Sequence, residues 1–517
     1  MSVVNILWAD DEIDLLKPHV IFLEEKGYAV STAKSGDEAI DLLKTKPFDI
    51  VFLDENMPGL SGLETLTLIK NQQPNLPVVM ITKSEEEFIM EEAIGSNIND
   101  YLIKPVNPNQ ILLCLKKNLE NKKLISQKTT SAYQQEFRSI GLEITNNLSY
   151  QEWIDVYKKL VFWELELAKS DDNSMLDILN MQKSEANQVF SRFVERNYQS
   201  WVQGKTDDRP TLSHTLVKER VFPYLSDEAP MYLILIDNLR YDQWKTIQPL
   251  IEDYFRVERD EIYYSILPTV TQYARNSFFS GLMPSEIEKK YPKYWVSEDD
   301  EGTKNQFEGE LLAEYLKRFG KDIKFSYNKI LNLNAGKRLL ESMPNLSGNK
   351  LNVIVYNFVD MLSHARTEME VIRELAEDEA AYRSITLSWF EHSPLFEILR
   401  FLADKGYPVI ITTDHGSIRV QDPVKIVGDR NTNTNLRYKT GRSLDYNRKD
   451  VYEVMRPEDI FLPKSNVSSS YVFTRATDFF AYPNNYNHYA KYYKNTFQHG
   501  GISMEEVLIP FVSLKAK

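Results

Sequence analysis

A chain of 517 residues is too long for one hydrophobic core and points to two to four domains. Its 42% hydrophobic and 12% aromatic content excludes wholesale disorder, and a formal charge of −14 argues against a general nucleic-acid coat protein, which needs a basic surface. A single cysteine, Cys114, cannot form an internal disulfide and suggests a reducing compartment. No secretory leader pattern is visible at "VNILWADDE" and no apolar run approaches bilayer length, so a cytoplasmic protein without membrane insertion is expected.

Residues 1–118 alternate five short apolar runs ("VVNILWA", "YAVSTA", "DIVFLD", "PVVMIT", "DYLI") with helix-compatible stretches at Glu12–Lys26, Gly36–Lys46, Gly62–Gln72, Glu85–Gly95 and Asn107–Asn118. That alternation predicts a doubly wound, five-stranded parallel sheet whose strand ends gather Asp10, Asp11, Asp54, Thr82 and Lys104. Three carboxylates at one edge repel unless a hard divalent cation neutralises them, and magnesium suits an oxygen-lined site. Asp54 can then accept a phosphoryl group, with Lys104 and Thr82 holding its oxygens. The elements "ADDE", "FLDENMPGLSG", "MIT" and "YLIKP" resemble the response-regulator receiver family. The resemblance implies phosphorylation of Asp54 by a sensor histidine kinase, magnesium on Asp10, Asp11 and Asp54, and switch roles for Thr82 and Tyr101. It also implies a phosphoryl contact from Lys104 and a cis bond before Pro105. Lys83 departs from the small residue many members carry after the threonine, which bears on access to the phosphoryl group. The alternative is a flavodoxin-like domain whose acids only cap loops.

Residues 119–208 hold two glycines, Gly141 and Gly204, and apolar positions at helical spacing, including Trp153, Val156, Tyr157, Leu160, Val161, Leu179, Phe190, Phe193 and Val194. An all-α connector of three bundled helices is predicted, acting as a relay or as a spacer with a small core of its own.

From residue 209 to 517 the α/β pattern returns. "MYLILID" ends at Asp237, "LNVIVYNFVDMLSH" carries Asp360 and His364, and "YPVIITTDHG" ends at Asp414 and His415; "QHGG" adds His499 and "LPTVTQYAR" adds Thr269 and Thr271. Neighbouring parallel strands would bring these carboxylates and imidazoles to one crevice, and mixed Asp/His donors with open positions suit catalytic zinc. His19, His214, His392 and His488 lack such context and read as packed or surface residues.

In this order the motifs resemble the alkaline phosphatase superfamily, within it the PglZ type: a large α/β domain with two zinc ions. One ion would be held by Asp360, His364 and His499, the other by Asp237, Thr271, Asp414 and His415. Thr271 would be the nucleophile, forming a phospho-threonine that is then hydrolysed; it is preferred to Thr269 because it aligns with a helix start. No additional cation for a monoester's third oxygen stands out, apart from Arg275 one helical turn beyond Thr271, so phosphodiester cleavage is favoured. Residues 284–350 read as a mixed lid. Lys425, Arg430, Arg437, Lys439, Arg442, Arg448 and Lys449 form a basic island with Tyr438 and Tyr446. Arg275, Arg437, Lys439 and Arg442 are the candidate contacts to a nucleotide or oligonucleotide, against a solvated loop or a dimer surface.

Receiver, helical connector and PglZ-type domain together resemble response regulators associated with type IX secretion. The resemblance implies homodimerisation on phosphorylation and a sigma factor or secretion component as partner. No duplex-reading module is visible, so direct DNA binding is not expected. The alternative is a non-catalytic adaptor binding such a partner in a phosphorylation-dependent way; a direct transcription factor using the basic island ranks last.

Overall fold

The computed structural model describes residues 4–517 except 75, 84–97, 170–173, 226–228, 299, 301, 369–375, 377, 429–431, 465 and 467; the side chains of 119–128 and 364–368 are also outside the described set. The expected helix at Glu85–Gly95 and Arg430 lie outside the described residues. Two compact units, residues 1–132 and 133–517, are described separately.

In the first unit, strands β1 (Asn5–Ala9), β2 (Ala29–Ala33), β3 (Ile50–Asp54), β4 (Val78–Thr82) and β5 (Asp100–Ile103) form a parallel sheet in the order β2-β1-β3-β4-β5. Period-two alternation sends Ile6, Trp8, Phe52 and Ile81 into one layer and Leu7, Val51, Leu53 and Met80 into the other. Both faces are therefore buried, which explains strands that read as continuous apolar runs. Helix Gly62–Gln72 starts at a capping box in which the Ser61 hydroxyl accepts from the Glu64 amide and Glu64 returns a bond to the Ser61 amide. Cys114 is buried, and that burial together with nearby Asp100 pushes its thiol up to about 12. The Lys104–Pro105 peptide is cis.

The second unit is built on a six-stranded mixed sheet. Its strands are β6 (Met231–Ile236), β7 (Phe255–Tyr264), β8 (Phe325–Ile330), β9 (Leu351–Tyr356), β10 (Val409–Thr412) and β19 (Leu508–Ala516), in the order β7-β19-β10-β6-β9-β8. Strands β10, β6, β9 and β8 run parallel, while β19 is antiparallel to both β10 and β7. The segment expected as a lid thus supplies an edge strand, β8. Strands β11 (Ile418–Arg419), β12 (Asp422–Val427), β13 (Tyr438–Gly441), β14 (Asp445–Tyr446), β15 (Val451–Val454), β16 (Ser470–Thr474), β17 (Asp478–Ala481) and β18 (Phe497–Gln498) make small sheets beside it.

The connector helices Asn121–Thr145, Tyr150–Leu167 and Ser174–Val202 form as expected. The expectation of a separate small core is corrected from Tyr133 onward. Trp153, Tyr157, Phe190 and Trp201 belong to one buried cluster with β6, β9 and β10. Trp201 and Phe190 meet Tyr264 of β7 with ring centroids 5.5 and 6.2 Å apart, and Tyr157 meets Tyr241 at 6.0 Å. The apolar face is broader than helix pairing needs, and its surplus covers the sheet. Among the described residues no helix is long and apolar enough to cross a membrane.

Candidate active site

In the receiver, Asp10, Asp11 and Asp54 point carboxylate oxygens at a common position, with Asp10 and Asp54 buried and Asp11 exposed. The Lys104 ammonium bridges them, 2.8 Å from Asp10 and 2.9 Å from Asp54. Burial and the neighbouring Asp10 charge raise the Asp54 carboxyl above its ordinary range despite Lys104. A divalent cation would relieve that excess negative charge, so the donor set fits magnesium. Tyr101 is 41% exposed. Lys83 pairs with Glu12 at 3.1 Å on the surface.

Thr82 shows a feature the motif did not reveal: its hydroxyl donates to the carboxylate of Glu55, the residue after Asp54. Turning towards a phosphoryl group on Asp54 requires that bond to break. Glu55→Ala is therefore expected to raise the phosphorylated fraction at limiting acetyl phosphate. A bond contributing about 1.5 kcal/mol would shift the equilibrium about 10-fold. Intact-mass measurement reads the fraction, and an unchanged value would show that the bond carries no weight.

In the second unit, the carboxyl ends of β6 and β10 deliver Asp237 and the Asp414–His415 pair, and helix Phe358–Glu368 after β9 delivers Asp360. Two donor groups result: Asp237, Asp414 and His415, and Asp360, His415 and His499. The His415 and His499 rings stack with centroids 4.3 Å apart. Thr271 opens helix Thr271–Ser280, and its Oγ1 lies 3.2 Å from His415 Nε2 and 3.4 Å from Asp237 Oδ1. His364 lies one turn after Asp360 on the same helix, but its side chain is outside the described residues.

Both imidazoles are oriented by backbone. His415 Nδ1 donates to the Gly416 carbonyl at 3.1 Å and His499 Nδ1 to the Thr269 carbonyl at 3.3 Å. A carbonyl only accepts, so Nδ1 carries a proton in each ring and Nε2 is the ring atom turned towards the acids, in charged His499 as the donor of a bond to Asp360. Burial takes the His415 imidazole down to about 4. Burial also opposes charge on His499, but the bond and charge of Asp360, 3.5 Å away, raise it above the ordinary histidine value.

The carboxylates are short of positive charge. Burial, with Asp414 and Asp360 nearby, raises Asp237 well above the usual carboxylate range. Burial also opposes the charge on Asp414, yet Arg275 and His415 hold that group below the range. A single guanidinium thus faces buried acids that outnumber it, and divalent cations beside the imidazoles would balance the cluster. The donor chemistry fits a zinc pair.

Several sequence expectations change here. Arg275 is not a substrate contact: it is fully buried, pairing with Asp237 and lying 3.0 Å from Asp414 Oδ2, drawn inward by the two acids. Arg437 is also fully buried, with Nη2 2.6 Å from Glu506 Oε2. Lys439 is 1% exposed, donates to the Asn433 carbonyl at 2.7 Å and is brought down to about 7 by burial. Neither side chain is available to meet substrate phosphates. Tyr438 is buried with its hydroxyl on Glu298 and is no stacking platform. Arg442 is exposed on the turn after β13, so it is the described member of the four candidate contacts that faces solvent.

Other residues take supporting roles that the sequence did not indicate, among them Thr269, weighed there only as a rival nucleophile. The Thr269 hydroxyl accepts from the Gly500 amide at 2.9 Å and donates to the Gly501 carbonyl at 3.0 Å, tying down the loop that carries His499. Asn238 takes φ 62°, a left-handed conformation that asparagine tolerates, and its amide donates to Ser363 at 3.2 Å and reaches Asp360 at 3.5 Å. An asparagine directly after a strand-ending aspartate was the available signal. Gly416 needs its missing Cβ, because the Glu505 carbonyl occupies that space.

Three family models match in order: a response regulator receiver domain over residues 6–116, a PorX response regulator linker domain over 123–202, and a BREX system PglZ alkaline phosphatase-like domain over 216–514. Among curated relatives, the alginate biosynthesis transcriptional regulatory protein AlgB of Pseudomonas putida is 37% identical over 120 residues, covering 23% of this chain and 27% of that protein. The transcriptional regulatory protein ResD of Bacillus subtilis is 32% identical over 112 residues, covering 22% of this chain and 46% of that protein. The chain therefore spans less than half of these relatives' length, and the likeness lies in the receiver. A CheY-like receiver domain protein from Methanospirillum hungatei JF-1 has 26% identity and a TM-score of 0.23, covering 23% of this chain and 96% of that one. Because the phosphatase-like match takes in more than half of its residues, the chain belongs to the PglZ alkaline phosphatase-like family, in the PorX-type architecture of receiver, linker and PglZ domain.

Proposed function

We propose that this protein is a phosphorylation-controlled, zinc-dependent phosphodiesterase with Thr271 as nucleophile. The observation that carries the reading is the Thr271 hydroxyl, 3.2 Å from His415 Nε2 and 3.4 Å from Asp237 Oδ1, at the start of a ten-residue helix. Zinc would supply Lewis-acid charge at the phosphoryl group and at that hydroxyl, with Asp237, Asp414 and His415 holding one ion and Asp360 and His499, with His364, the other. The Thr271 oxygen bonds to phosphorus as one ester bond breaks, the hydroxyl proton leaving with the departing alcohol; water then cleaves the bond from Thr271 to phosphorus, restoring the hydroxyl and releasing a phosphate monoester. Backbone amides at the helix start favour the phosphoryl charge. Meanwhile Thr269 and Asn238 hold the His499 loop and Asp360 in place.

Diester preference is supported by Arg275, whose guanidinium is committed to Asp237 and Asp414 and so is not presented to a monoester's third oxygen. A nucleotide-type diester remains the proposed substrate class, although burial of Arg437 and Lys439 reduces the exposed part of the basic island, among the described residues, to Lys425, Arg442, Arg448 and Lys449. Control follows from the receiver: a histidine kinase donates to Asp54, with magnesium on Asp10 and Asp11, and the phosphorylated chain forms a homodimer. The resemblance to response regulators associated with type IX secretion is the basis for proposing a role there, in the cytoplasm, with a sigma factor or secretion component as partner; the linker match agrees with the regulator type and says nothing of these partners.

The test is hydrolysis of bis(p-nitrophenyl) phosphate beside p-nitrophenyl phosphate by the zinc-loaded full chain, with and without acetyl phosphate. Faster diester than monoester turnover, raised by acetyl phosphate in the wild type and unmoved in Asp54→Asn, is expected. No turnover of either ester with zinc bound would sink the enzymatic reading.

A further inference from the structure

We infer that the connector helix Ser174–Val202 is a positioning element for the His499 ligand loop, acting through polar residues spaced four apart. Lys183, Asn187, Ser191 and Glu195 lie successively one turn further along the helix and share a face. All four engage chain that is distant in sequence. Lys183 Nζ lies 3.5 Å from Glu505. Asn187 uses both ends of its amide, donating to Glu505 Oε2 at 2.9 Å and accepting from the Met504 amide at 2.7 Å. The Ser191 hydroxyl donates to the Ile502 carbonyl at 2.8 Å and accepts from the Ala476 amide at 3.2 Å. Glu195 pairs with Arg475 at 2.7 Å.

Asn187 and Ser191 are buried, so their polar atoms cost stability unless bonded, and an apolar face would pack there with less risk. A row of satisfied bonds does what an apolar face does not: it admits one register of helix against loop. The fixed segment runs straight into the metal-site loop. Glu506, next to Glu505, accepts from the Gly501 amide at 2.9 Å, and Gly501 lies two residues beyond His499. The other donor group is tied to the sheet: Asp237 follows β6 and Asp414 follows β10, and the seam segment reaches it only at Gly416, whose amide donates to the Glu506 carbonyl at 3.2 Å. Movement of the helix would therefore act mainly on His499, which has no strand to hold it, and less on the group fixed at the ends of β6 and β10.

This inference rests on the two-zinc reading above. The experiment titrates zinc into the full-length chain against a chelator of known affinity, with His499→Ala identifying the binding step that depends on this loop. Asn187→Ala, and the milder Ser191→Ala, are expected to weaken that step 10-fold or more and the other step much less, by analogy with outer partners of metal ligands. Two steps unchanged in both variants, or both steps weakened equally, would overturn the positioning role. A wild-type chain that takes up no zinc would remove the two-zinc reading itself, and this inference with it.

Discussion

Thr271→Val, loaded with zinc, is expected to hydrolyse bis(p-nitrophenyl) phosphate about 10³-fold or more slowly than the wild type, through kcat, because the bond-forming oxygen is gone. Valine has nearly the shape of threonine, and the helix N-cap is Val270 with no side-chain cap bond to lose, so stability should stay within about 1 kcal/mol. The control is Thr269→Val. That hydroxyl is fully buried and spans Gly500 and Gly501, so its removal should cost about 1–2 kcal/mol of stability and, through a looser His499 loop, slow turnover far less than loss of the nucleophile does. Steady-state kinetics beside thermal unfolding separates the two sites. If Thr269→Val were the dead variant and Thr271→Val the active one, the assignment of nucleophile would be reversed.

Arg437→Ala should act on folding and not on substrate. Its guanidinium is fully buried against Glu506, itself fully buried, so truncation strands a carboxylate in the interior. Breaking such a pair costs about 3–5 kcal/mol. Urea unfolding followed by tryptophan fluorescence reads that loss, while Arg442→Ala, on an exposed turn, should leave the midpoint where it was. A folded Arg437→Ala chain of wild-type stability with a raised KM would restore the substrate role first expected from the charge run. Glu506 also accepts from the Gly501 amide, so the destabilised variant should hold zinc less tightly at the His499 side.

What the sequence by itself determined lies at strand ends. Apolar runs that stop at Asp54, Asp237 and Asp414 announce parallel strands whose carboxyl edges share a crevice, and the sheet orders β2-β1-β3-β4-β5 and β10-β6-β9 place those residues accordingly. Period-two burial and a helix starting at Thr271 are local properties, written in a few neighbouring residues. Tertiary structure alone decided where the long polar side chains go. Arg275, Arg437 and Lys439 read as cations facing a ligand, yet each is buried among its own chain's acceptors. Likewise nothing in the sequence marks Lys183, Asn187, Ser191 and Glu195, polar at four-residue spacing, as a face whose middle is covered by Met504 and Glu505, more than 300 residues away. Spacing fixes which residues share a face. Whether that face meets water or protein depends on long-range packing, since a polar group is equally content with either once its hydrogen bonds are made.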